Sequence, residues 1–237
     1  MNIPIFLVWT LPLVAQTQPA VADILRRVSE SYGRTQEIDF SAKFTSRAAD
    51  GSQSTSTFRL AAKFPDKLRM EFDAVGSKML AGEDWGEAVM VIDGKSTWIY
   101  LKGLNQYQVT SGAPPDHDGL LNPRHDPSIF VPTQVGYFVG GFQRIQDAGK
   151  ATVLREETMQ TNGKPTDCYV VEVSNGSMVE RLWIDKNRYL VVREDSMDPA
   201  ETSSTVFTAL TIDEPLSDDL FTFTPPPGAR KVDKVER

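Results

Sequence analysis

Two hydrophobic periods divide the chain. Over Val21–Arg34 apolar residues recur at helical spacing: Val21, Ile24, Leu25, Val28 and Tyr32 share one face, with Arg26, Arg27 and Glu30 on the other. This spacing predicts one amphipathic helix, stopped near Gly33. From Glu37 the period drops to two. Ile38, Phe40, Ala42 and Phe44 alternate with Asp39, Ser41, Lys43 and Thr45. After the turn Ala49-Asp50-Gly51, Ser54, Ser56, Phe58, Leu60 and Ala62 alternate with Thr55, Thr57, Arg59 and Lys63; after Pro65-Asp66, Leu68, Met70 and Phe72 alternate with Lys67, Arg69, Glu71 and Asp73. These segments read as half-buried antiparallel strands joined by tight turns.

Past a weaker segment, Val75–Glu87, comes the stretch around which the rest is arranged, Val89–Val109. A short Val/Met/Ile run meets the hairpin signal Asp93-Gly94. Trp98 and Tyr100 then alternate with Ile99 and Leu101, Gly103 and Asn105 turn the chain again, and Tyr107 and Val109 open a further strand. The meander is apolar on both faces, whereas an antiparallel sheet usually shows one face to water. One face is therefore expected to pack on a cover, and the other to meet something apolar that need not belong to the chain.

Ser111–Gln134, with Pro114, Pro115, Pro123, Pro127 and Pro132, reads as a long loop, followed by a short helix near Ile129–Phe138. Strand signals resume at Ala151–Met159, Cys168–Val173, Val179–Ile184, Leu190–Arg193 and Thr205–Ile212, punctuated by Asn162-Gly163 and Asn175-Gly176. Asp219–Val232 reads as a short Phe-rich strand capped by three prolines. The expected fold is mainly β: ten or eleven antiparallel strands that curl into an incomplete barrel, with the N-terminal helix and the mid-chain helix forming a lid. What they leave between them is an apolar cleft.

Composition narrows the function. The 237 residues fit one domain, 21–237, after an apolar start whose Leu13-Val14-Ala15 or Ala20-Val21-Ala22 suits cleavage of an export signal, Met1–Ala15 or a little longer. No cysteine stands directly after that segment, so a soluble exported protein without a lipid anchor is expected. A net charge of −7 argues against nucleic acid and against an electrostatic grip on anionic membranes. Cys168 is the only cysteine and alternates with Val170 inside a strand, which reads as a buried small hydrophobe.

Candidate chemistry is sparse. Asp116, His117, Asp118, His125 and Asp126 form the one metal-like group, but they stand in a Pro/Gly-rich loop without helical ligand spacing. No nucleophile elbow or phosphate-cradling Gly motif occurs. Neither catalysis nor a cofactor or metal is expected, a metal-dependent enzyme being the least favoured reading. The informative set is apolar: Phe40, Phe58, Leu60, Leu68, Met70, Phe72, Trp98 and Tyr100 as a cavity wall, with Ile24, Leu25 and Val28 of the first helix as the lid. One helix cannot hide that many strands, and apolar pockets are ligand sites by default. At roughly 0.8 kcal/mol per CH₂, a chain of about a dozen carbons would gain up to about 10 kcal/mol before ordering costs.

Four segments carry a resemblance. VIDGKSTWIYLKGLNQY (Val91–Tyr107), LFTFTPPPGARKVD (Leu220–Asp233), DILRRVSESYGRTQEIDFSAKF and KFPDKLRMEF (Lys63–Phe72) occur in the order found in the outer-membrane lipoprotein carrier (LolA-like) family, which the chain resembles from about Val21 to Asp233. The resemblance implies an open β-barrel with a helical lid and a periplasmic carrier of lipoprotein acyl chains. It also implies partners: an inner-membrane transporter as source and an outer-membrane receptor as acceptor, served by a monomer. Without an anchoring cysteine the chain is similar to the soluble carrier. It departs at Phe64, where the family has the Arg that helps hold the lid, and alternation puts Lys63 and Arg59 on the opposite face from Phe64. That departure leaves open a second reading, a lipid-responsive sensor of the same fold that binds a membrane partner's periplasmic domain.

Overall fold

The helical period forms a helix and the alternating segments form strands, in the predicted order. The computed structural model describes residues 19–64, 66–74, 86–111 and 150–233. The export segment, the metal-like group Asp116–Asp126 and the short helix near Ile129–Phe138 lie outside the described residues. Helix α1 spans Val21–Arg34 and buries Ile24, Leu25, Val28 and Tyr32. Its stop is made two residues beyond Gly33, at Thr35, which turns extended while its Oγ1 donates to the Ser31 carbonyl at 2.9 Å.

The strands are β1 (Glu37–Ala48), β2 (Gln53–Lys63), β3 (Lys67–Ala74), β4 (Gly86–Asp93), β5 (Ser96–Leu101) and β6 (Gln106–Ser111), then β7 (Lys150–Thr161), β8 (Lys164–Asn175), β9 (Met178–Asp185), β10 (Val191–Met197), β11 (Glu201–Ile212) and β12 (Arg230–Lys231). Among the described residues they form one sheet in the order β12-β6-β5-β4-β3-β2-β1-β11-β10-β9-β8-β7. Every neighbouring pair is antiparallel except β12 with β6. The order is linear, so this is a half-open barrel, with β1 between its two halves.

The turns are made by residues that tolerate a left-handed backbone. Asn162 and Gly163 take φ 55° and 70°, the pair a tight hairpin needs. This β7–β8 turn folds back onto β11 where β10 no longer pairs with it. There the Asn162 amide bridges Leu210, donating to its carbonyl at 3.0 Å and accepting from its N–H at 2.7 Å. Backbone groups left by β10 are thereby satisfied, and that half of the sheet is held in a curl.

The C-terminal segment departs from expectation. Asp218–Phe221 is a 3₁₀ turn rather than a Phe-rich strand, and the twelfth strand, β12, forms beyond the prolines. Prolines cannot donate to a ladder, so pairing waits for Arg230 and Lys231, which lie beside Gln106 and Tyr107.

Candidate functional site

Cross-strand register decides which side chains meet. Leu210, Phe40, Leu60, Met70, Met90 and Ile99 stand directly opposite one another along β11, β1, β2, β3, β4 and β5. Residues so paired share a face. A second line runs Phe207, Ala42, Phe58, Phe72, Ala88 and Leu101, and a third Ile212, Ile38, Ala62, Leu68, Ile92 and Thr97. Helix α1 packs on this face: Ile24, Leu25, Val28 and Tyr32 join Phe40, Phe58, Leu60, Leu68, Met70, Met90 and Ile92 in one apolar cluster. Phe40 sits at its centre, 5.8 Å from the Phe58 ring and 5.2 Å from the Phe207 ring. In the described parts of β1 to β6, no position on this face holds Asp, Glu, Lys or Arg.

Six of the eight wall residues named from sequence, Phe40, Phe58, Leu60, Leu68, Met70 and Phe72, thus share the helix-side face. Trp98 and Tyr100 do not. Trp98 pairs with Val91, and Tyr100 with Val89 and Tyr107, which places both on the outer face. There the C-terminal segment lies over them: the Phe223 ring is 5.6 Å from Trp98 and 5.7 Å from Tyr100. The second apolar face of the meander therefore meets the chain's own tail. On the helix side its contributors are Ile99 and Leu101, which the aromatic pattern had obscured.

The tail is fixed as a strap. Asp218 accepts from Lys63 Nζ and pairs with Lys67, each at 2.9 Å, and these two ammonium groups hold its carboxyl down to about 2. Arg69 donates to the Leu220 carbonyl at 3.3 Å, and Phe221 is buried. Lys63 points outward to the strap, while Phe64 packs against the main core, as alternation required. Arg59 is likewise outward, bonded twice to Asp39.

The helix is tied down at one end. Arg27 Nη1 donates to Tyr189 Oη at 2.8 Å, Ser31 Oγ to the Arg188 carbonyl at 2.9 Å, and the Val191 N–H to Tyr32 Oη at 2.9 Å. Burial pushes the Tyr32 phenol above its ordinary value. Glu194, buried on the same face, acts on that phenol electrostatically. Neither Tyr32 nor Glu194 stood among the site residues picked from sequence. The helical period gave Tyr32, but Glu194 needed the β9–β11 register. Cys168 is fully buried, and burial raises its thiol to about 12, which keeps it protonated and unreactive at neutral pH. Two open clefts of about 440 and 480 Å³ are lined mainly by polar and charged residues; Lys43, Arg59 and Asp73 belong to one and Arg47 and Asp195 to the other.

Comparison with known proteins supports the architecture. Lipoprotein LppX of Mycobacterium tuberculosis superposes with a TM-score of 0.51 at 10% identity, over 86% of this chain and 100% of that one. An uncharacterised conserved protein of Thermus thermophilus gives 0.48 at 15% identity, over 89% of this chain and 96% of that one. A LolA superfamily protein of Nitrosomonas europaea gives 0.35 at 13% identity, over 87% and 99%. At such identities the LppX likeness speaks for the fold alone. No curated protein matches the chain in sequence. No helix among the described residues is long and apolar enough to cross a membrane. The half-open sheet under one helix is the arrangement the motifs implied. A family model described as "Predicted periplasmic protein (DUF2092)" matches residues 21–234, and the chain belongs to that periplasmic family.

Proposed function

We propose that this protein binds the acyl chains of lipids or lipoproteins against the helix-side face of its sheet and carries them across the periplasm. One observation carries the reading: a face six strands wide without a charged side chain in its described parts, under a helix of 14 residues. Such a helix is about 21 Å long. The opposite face of β1, β2, β3 and β4 is studded with Lys, Arg, Asp and Glu. Phe40, Phe58, Leu60, Leu68 and Met70 are buried in the cluster that includes the helix, and Phe72 is half-buried; acyl chains are the periplasmic ligands that match such a wall without charged anchors. The resemblance in sequence motifs supports the same role, with an inner-membrane lipoprotein transporter as source and an outer-membrane receptor as acceptor.

The test is native mass spectrometry of the protein extracted gently from the periplasm. Acylated species should co-purify, and Phe72→Asp, at a half-buried position of the wall, should lower their occupancy at least tenfold. Thr55→Asp, on the outer face, should leave it unchanged. Protein that is empty in every preparation, or equal loss in both variants, would remove the reading. Recovery of a membrane regulator in place of lipoprotein-export components would turn it toward a sensor.

A further inference from the structure

The two ends of the C-terminal strap are held unequally. Among the described residues β6 has two neighbours in the sheet, β5 on one side and β12 on the other. The β12 pairing is short: Arg230 and Lys231 lie beside Gln106 and Tyr107. Two main-chain bonds close it, from the Arg230 N–H to the Asn105 carbonyl and from the Val232 N–H to the Tyr107 carbonyl, each at 2.9 Å. Arg230 and Lys231 are exposed, so water competes for this pairing and its net strength is small. The other end is firm. Glu37 accepts from the Leu216 N–H at 2.5 Å, Lys63 Nζ donates to the Leu216 carbonyl at 3.1 Å, and the 3₁₀ turn that buries Phe221 lies beside β3 and β4.

Between its ends the strap is stiff. Pro225, Pro226 and Pro227 restrict the backbone, and Gly228, left-handed at φ 78°, turns the chain toward β12. Phe223 and Ala229 pack on the outer cluster of Val89, Val91 and Tyr100. Asn105 joins the two parts: its side chain accepts from Tyr100 Oη at 2.9 Å, and its carbonyl takes the Arg230 N–H. Trp98 and Tyr100, under the strap, alternate along β5 with Ile99 and Leu101, which stand opposite Met90 and Ala88 on the helix-side wall. Strap and wall thus grip opposite faces of one hairpin, and β5 cannot shift one set without the other.

We infer that the β5–β6 hairpin is a movable flap of the wall and that the C-terminal strap is its latch. Phe40, Leu60 and Met70 are buried, so an acyl chain reaches them only after part of the structure moves. An edge hairpin latched by two exposed bonds is where local opening meets least resistance. With β12 paired, Ile99 and Leu101 are held in line with Met90 and Ala88; with β12 released, the hairpin swings outward by a change in the curl of the sheet, and the chain enters beside Ile99. This rests on the acyl-binding reading above and adds the moving part that admits the ligand.

The experiment locks and unlocks the latch in the full chain. Gln106→Cys with Arg230→Cys puts two thiols on neighbouring strands about 4.8 Å apart, and Cys168, the one native cysteine, is fully buried. Entry of N-phenylnaphthylamine, a neutral apolar dye, is followed by stopped-flow fluorescence after closure with diamide, verified by loss of the free thiols, and again after dithiothreitol. The oxidised form should take up the dye about tenfold more slowly than the reduced form. Arg230→Pro, which deletes one of the N–H donors of the pairing, should speed entry about threefold over the parent. Equal rates in the oxidised and reduced forms, or an Arg230→Pro rate no faster than the parent's, overturn the latch while acyl binding stands. Dye bound by none of these proteins removes acyl binding, and the latch with it.

Discussion

The two faces of β4 and β5 both carry apolar side chains and cover them in different ways. On the outer face, Val89, Val91, Trp98 and Tyr100 are covered by a segment of the same chain, with Phe223 between the two rings and Asp218 pinned by two lysines. Tyr100 finds a partner for its hydroxyl in Asn105 at 2.9 Å, and Trp98 Nε1 donates to Asp93 at 3.2 Å. Aromatic groups with a polar tip are suited to such a half-wet cover. The helix-side face is built instead from Met, Leu, Ile and Phe, which carry no polar tip, over at least five strands. On the proposed reading the outer aromatics hold the architecture, and the wall of Met, Leu, Ile and Phe takes the ligand.

The largest expected effect breaks the wall at its centre. Phe40→Ala removes a ring in contact with Phe58 and Phe207 and should cost about 3–5 kcal/mol in urea unfolding. Phe223→Ala should cost less, about 2 kcal/mol, because the ring is half-buried and lies at the rim. Hydrogen exchange sharpens the comparison: Phe223→Ala should speed exchange in Trp98–Leu101 and leave Ile38–Ala42 protected. Equal loosening of both segments would mean that the strap supports the whole sheet and that the two faces are not separate devices.

Much of this was legible in sequence, for a physical reason. Period-two alternation is local, so β1, β2 and β3 and the division of Phe40, Leu60 and Met70 from Asp39, Arg59 and Arg69 could be read directly. Register is not local. When both faces of a strand are apolar, as at Trp98-Ile99-Tyr100-Leu101, alternation separates two sets without saying which looks inward. The choice was made by Met90 standing opposite Ile99 and by the arrival of Phe223 from more than a hundred residues away. Ser46, Ser54, Ser196 and Ser203 are hidden for the same reason: they stand far apart in sequence, and only pairing across four strands brings them into one row.

The smallest expected effect tests the strap's electrostatic end. Lys63 and Lys67 lower the Asp218 carboxyl from its ordinary 3.8 to about 2. A carboxyl depressed on folding contributes stability that is complete above its ordinary value and is lost as pH falls toward the depressed one. Asp218→Asn should therefore be slightly less stable than the parent from pH 7 down to about 4. The gap should close between about pH 4 and pH 2, and added salt should shrink it, since the pair is solvent-exposed. Urea midpoints of both proteins at pH 6 and near pH 2 decide the matter. A gap that persists at low pH would show Asp218 acting through the shape of the turn, with Ser217 capping the 3₁₀ segment beside it, rather than through its charge.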